Sequence, residues 1–119
     1  MRAKVAKAEE FLTAAELSLE LSAYNAATSL AVSAGINASD SMILAKGGVL
    51  PNASDHQQST RTLRRIDPSA AVQLNRLLGL KNKSQYALQM CTRSDADVAV
   101  KAAEKLLEKV KALHARANI

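Results

Sequence analysis

Little in this chain could build a sheet or a covalent cross-link. Phe11, Tyr24 and Tyr86 are its only rings, 3% of the residues, and tryptophan is absent. Strands draw on aromatic and β-branched side chains, so a sheet has little to work with. Proline occurs twice and glycine four times, which leaves few places where a helix must break. The single cysteine, Cys91, rules out an intramolecular disulfide and fits a reducing compartment. No segment approaches the roughly 18 apolar residues of a membrane span. The opening MRAKVAKAEE has no apolar stretch of the signal-peptide kind. A cytoplasmic protein without membrane association is the expectation.

What is present is alanine and aliphatic side chains. Hydrophobic residues make up 48% of the 119, enough for a single domain, 1–119, with a working core and no metal or disulfide staple. Alanine has the highest helix propensity and lets helices approach closely. The fold class expected is all-α.

Periodicity places the helices. Val5, Ala8, Leu12, Ala15 and Leu19 recur in steps of three and four, one stripe of a helix near 3–21. A second helix, near 23–46, is lined with Ala26, Ala27, Ala31, Ala34, Gly35 and Ala38, and Gly35–Asn37 is where it could kink or break. Gly47-Gly48 stops it and opens a loop over 47–55. Asp55 with Gln58 reads as a cap for a short helix, 56–66, and Asp67-Pro68 as cap and first residue of a fourth helix, 68–91. That helix carries Ala71, Leu74, Leu78, Lys81, Gln85 and Leu88 on one stripe. After a boundary at Thr92–Asp95, Val100, Ala103, Leu107 and Val110 define a last helix, 95–116. Short connections favour antiparallel neighbours, so the architecture expected is an up-and-down four-helix bundle with an additional short helix.

Charge is concentrated. Residues 61–83 hold Arg61, Arg64, Arg65, Arg76, Lys81 and Lys83 against Asp67 alone, so the formal excess of +5 resides there and the remainder is neutral. Such a cluster is either a solvated helix face or a surface that attracts phosphate backbones. In the second reading Lys81 and Lys83 supply point charges, and Asn82 and Ser84 supply hydrogen bonds. Tyr86 shares a helix side with Asn82 and Lys83. Rings are too sparse for a platform that stacks single-stranded bases.

Other chemistry gives no convincing signal. His56, His114 and one cysteine are too few for a Cys/His zinc site, and no cofactor is expected. Paired carboxylates, a Gly-rich phosphate loop and a Ser-x-x-Lys motif are not evident. His114 reads as structural or as a cation near a helix C-terminus. Cys91 reads as a small buried residue. His56, in the first turn of a helix whose dipole disfavours its charge, is the histidine that could belong to a site.

The order AEEFLTAAELSLEL, YNAATSLAVSAGINASDSMIL, a His-led helix, LLGLKNKSQYAL and a lysine-rich closing helix resembles a HEPN domain, from about Ala3 to Leu113. HEPN domains are a helical family of higher eukaryotes and prokaryotes with proposed nucleotide binding. The resemblance implies an up-and-down bundle that commonly dimerises. It also implies possible work as a metal-independent ribonuclease, often a toxin held by an antitoxin. The family's motif is an arginine, a polar residue, and a histidine four to six residues on. Here Lys81 stands at the arginine position, Asn82 at the polar one and Tyr86 where the histidine belongs. Lysine lacks the two-pronged guanidinium, and tyrosine does not exchange protons near neutral pH as histidine does. The expectation is therefore a non-catalytic, homodimeric HEPN-like domain that binds nucleic acid (RNA or DNA), nucleotide or a partner protein. An antitoxin or a nucleotidyltransferase, in a toxin–antitoxin or stress-response system, would be such a partner. Its site residues would be Lys81, Asn82, Lys83, Tyr86, His56, Arg61 and Arg65. The alternatives are a degenerate ribonuclease using His56 as base, and a purely structural helical interaction module.

Overall fold

Local caps decide where the helices begin and end. The computed structural model describes residues 2–52 and 55–117, and among them every regular element is helical. In chain order these are α1 (Arg2–Glu20), α2 (Tyr24–Ala45), α3 (His56–Ile66), α4 (Pro68–Gln85) and α5 (Arg93–Ala117). Ala53 and Ser54 of the expected 47–55 loop lie outside the described residues. No helix among those residues is long and apolar enough to cross a membrane.

α1 ends with Ser22 in the left-handed conformation, φ 59°. Ser22 N–H then donates to Leu19 O at 3.0 Å and Ala23 N–H to Ser18 O at 2.9 Å, a Schellman closure that satisfies the last carbonyls. α2 closes the same way through Gly47, φ 75°, with Gly48 N–H donating to Ile43 O at 3.0 Å. Both expected N-caps form: the Asp55 carboxylate accepts from Gln58 N–H at 3.0 Å and that of Asp67 from Ala70 N–H at 3.0 Å. α5 begins at Arg93, ahead of the expected 95, because Thr92 and Asp95 form a reciprocal box. Asp95 N–H donates to Thr92 Oγ1 at 3.1 Å, and Thr92 N–H to the Asp95 carboxylate at 2.8 Å.

α2 is the central helix and packs against all four others. Its buried Ala27, Ala31, Ala34 and Ala38 admit neighbours closely, and Val32, Ile43, Leu63, Leu74, Leu77, Leu106 and Val110 fill the interior. Gly35 does not break α2, which runs through it unbroken. A Cβ there would overlap Leu77 Cδ1 of α4 and stand 3.3 Å from Leu106 Cδ1 of α5. The glycine is where three helices meet.

The fourth helix is shorter than expected, ending at Gln85 instead of 91. The cause lies on α2. Asn25 Nδ2 donates to Ser84 O at 3.2 Å, and Asn25 Oδ1 accepts from Cys91 N–H at 2.7 Å. One side-chain amide thus holds the end of α4 and pins the connection to α5. Leu88, expected on the buried stripe, is fully exposed in that connection, and Gln85 is exposed too. The stripe α4 buries is Ala70, Ala71, Leu74, Leu77 and Ser84, with Leu78 and Lys81 half-buried at its edge.

Candidate functional site

α3 is short and strongly two-faced. Thr60 and Leu63 are buried, whereas Arg61, Arg64 and Arg65 are exposed. Docked against α4, it leaves an open cleft of ≈ 590 Å³. From α3 come His56, Gln57, Thr60, Arg61 and Arg64, and from α4 come Asn75, Leu78 and Gly79. The α4 wall is low because Gly79 has no side chain, and a Cβ built there meets nothing within 4 Å. Among the described residues neither Arg61 nor Arg64 is in an ion pair. Two guanidinium groups therefore face the cleft without a carboxylate to neutralise them.

At the head of the cleft His56 Nε2 lies 2.9 Å from Lys81 Nζ. An ammonium can only donate, so the imidazole accepts on Nε2 and carries its proton on Nδ1. Burial lowers the His56 pKa, and the Lys81 charge lowers it further, against the opposing pull of Asp40 and Asp55. A neutral imidazole at neutral pH follows, consistent with its place in the first turn of α3.

The sequence-derived site residues therefore separate. His56 and Arg61 line the cleft together, and Lys81 reaches His56 without itself lining it. Arg65 is exposed but does not line the cleft, and Asn82 is exposed on α4. Lys83 reaches α5 instead, pairing with Asp95 at 2.8 Å. That hydrogen bond holds the Lys83 pKa above, and the Asp95 pKa below, their ordinary values. Tyr86 caps α4 and is 74% exposed. It is not brought to Lys81 within the chain.

Asn75, Thr60 and Gly79 were not singled out from sequence, and Arg64 was named in the basic cluster but not among the site residues. A helical signal was available for Arg64, since His56, Thr60 and Arg64 recur every fourth residue along one face of α3. Nothing local marks Asn75 or Gly79, which matter because α3 lies opposite them. The other histidine is structural: His114 Nε2 is 3.2 Å from the buried Ser41 hydroxyl. Cys91 is buried, as a small apolar residue would be. Among the described residues no three His, Cys, Asp or Glu side chains cluster as metal ligands would.

The family model for the HEPN domain matches residues 1–113, and the chain belongs to the HEPN family. At the family level HEPN domains point to nucleotide- and RNA-related functions, including toxin–antitoxin settings. No curated protein matches the chain.

Proposed function

We propose that this HEPN domain binds a phosphate-bearing ligand, nucleic acid or nucleotide, in the α3–α4 cleft without reacting on it. The observation that carries the reading is the pair of uncompensated guanidinium groups, Arg61 and Arg64, beside the His56–Lys81 contact. Arginine forks suit phosphate oxygens, and an uncovered cleft focuses the positive potential. The neutral His56 is poorly placed as a general base because its one lone pair faces the Lys81 ammonium. The setting proposed is a cytoplasmic toxin–antitoxin or stress-response system, with a partner protein such as an antitoxin or nucleotidyltransferase. The four long helices are read as an up-and-down bundle with α3 as the additional helix. The bundle is proposed to pair as a homodimer, so light scattering of a strict monomer at high concentration would remove the pairing.

The test is affinity for a short single-stranded RNA as salt is raised. Each lost phosphate contact should flatten the log–log slope by about 0.7. Arg61→Ala and Arg64→Ala are each expected to do so, whereas Lys83→Ala is not, because Asp95 already occupies that ammonium. Gly79→Glu should abolish binding while the helix survives, since the space above Gly79 is open. Wild-type binding indifferent to all four changes would leave the basic cluster a solvated face.

A second reading, a degenerate ribonuclease, is favoured by one feature: a histidine of lowered pKa beside a cation in a cleft. Metal-free RNA cleavage by the wild type that disappears in His56→Ala would establish it. Activity that emerges only in Tyr86→His would support the binding reading.

A further inference from the structure

The contact at the head of the cleft holds only while His56 is neutral. Lys81 Nζ lies 2.9 Å from His56 Nε2, and that nitrogen offers one lone pair to the ammonium. Once a proton occupies the lone pair, the ring is a cation with two donors, and the ammonium beside it has lost its acceptor. No carboxylate then holds Lys81 in place. The ion pairs among the described residues engage Lys4, Lys83, Lys109 and Lys111 instead. The protonated ring, by contrast, has favourable neighbours. Asp40 of α2, itself paired with Lys4 of α1 at 3.1 Å, lines a small space together with His56. Asp55 precedes His56 as the α3 cap and accepts from Gln58 N–H at 3.0 Å. Burial lowers the His56 pKa and the Lys81 charge lowers it further, while Asp40 and Asp55 pull the other way. The ring therefore takes up its proton on the acid side of 6.5. A freed Lys81 has somewhere to go, because it follows Leu78 of the cleft wall by three residues and shares that side of α4.

We propose that the His56–Lys81 contact is a proton-operated catch on the cleft: a solvent proton added at His56 Nε2 frees the Lys81 ammonium to swing along the α4 wall. The cleft then gains two positive charges beside Arg61 and Arg64, one on the ring that lines it and one on the released lysine. At neutral pH the same histidine holds that lysine back. The release of Lys81 needs no ligand. Its consequence rests on the phosphate-binding reading: phosphate-bearing ligands bind more tightly as the pH falls. A bound phosphate raises the His56 pKa, so the gain accrues between the bound-state and free-state values and levels off below the latter.

Two measurements on the full chain test it. Without ligand, proton–carbon correlation spectra follow the Lys81 ε-methylene and the His56 ring as the pH is lowered from about 7.5 to about 5. The two should titrate with one midpoint, and in His56→Gln, which accepts but does not protonate, the lysine signal should stay still. With ligand, the probe is an oligouridylate lacking terminal phosphates, so that the RNA itself does not titrate in this range. Its log–log salt slope should steepen by about 1.4 at the acid end in the wild type, by about 0.7 in Lys81→Ala, and not at all in His56→Gln, at about 0.7 per phosphate contact. The other histidine, His114, contacts Ser41, and the comparison with His56→Gln subtracts its contribution. A Lys81 signal indifferent to the His56 titration would overturn the catch. So would Lys81→Ala steepening as much as the wild type, or His56→Gln keeping the wild-type pH dependence. If the oligouridylate binds at neither pH while Lys81 still follows His56, the proposed function falls and the catch stands.

Discussion

Gly35→Ala gives the most direct test of how α4 is seated. The new Cβ would overlap Leu77 Cδ1, stand 3.5 Å from Leu77 Cγ and 3.3 Å from Leu106 Cδ1. Leu77 and Leu106 are both 0% exposed, so neither can swing into solvent. Forcing a methyl group into a filled core costs about 1–3 kcal/mol. Alanine in mid-helix returns about 1 kcal/mol relative to glycine. The net is a destabilisation of roughly 1 kcal/mol, about 3–5 °C in Tm for a domain of this size. The reasoning becomes sharper against Leu77→Ala, which alone should cost about 2–5 kcal/mol by opening a cavity. In that background the clash is gone, and Gly35→Ala should stabilise by about 1 kcal/mol through propensity and partial filling. The sign of one substitution thus reverses with its partner, a coupling of about 2 kcal/mol. Urea unfolding of the four proteins, with the m-value checked for constancy, measures it. Energies that add within about 0.5 kcal/mol would show that Gly35 does not set the α2–α4 approach.

Other substitutions test caps and charge. Ser22→Gly should raise Tm, since Ser22 has φ 59° and a non-glycine residue there costs about 1–2 kcal/mol, of which the added freedom of the unfolded chain takes back up to about 1 kcal/mol. No gain in a thermal melt would mean the turn is not held left-handed. Asp67→Ala should cost about 1 kcal/mol by removing the α4 cap, while Asp67→Asn should recover most of that loss. The ion pair with Lys109 at 3.0 Å is partly exposed and adds little. Equal losses in chemical denaturation would assign the effect to the ion pair instead. His56 adds a pH dependence. Its folded pKa lies below 6.5, so above pH 6.5 both states are neutral and the group contributes nothing. As the pH falls through that value the unfolded chain takes up the proton first and stability drops, levelling below the folded pKa. His56→Gln should flatten this part of the stability curve, and an unchanged slope would refute it.

Much of the fold is legible locally because a helix and its caps are made by residues within four positions of each other. The stripe Val5–Leu19, the glycines after Ala45, and the caps Asp55 and Asp67 needed nothing distant. The basic character of α3 was equally plain, since charges cluster in sequence before they cluster in space. Tertiary structure decided the rest. The end of α4 depends on Asn25, 59 residues from the Ser84 carbonyl it holds, so a pattern of apolar residues through Leu88 could not reveal it. Gly35 could have been a weak point of α2; only the arrival of Leu77 and Leu106 makes it a contact. Lys81 and Lys83 are alike in sequence, two positions apart on one helix. Their side chains leave α4 about 160° apart around its axis, one towards His56 and the other towards Asp95. Composition and periodicity determined that the chain is helical and where its charge lies. Which of those charges is free for a ligand was decided by the helices packed beside them, because an ammonium acts on whatever lies within a few ångströms in space, however far along the chain.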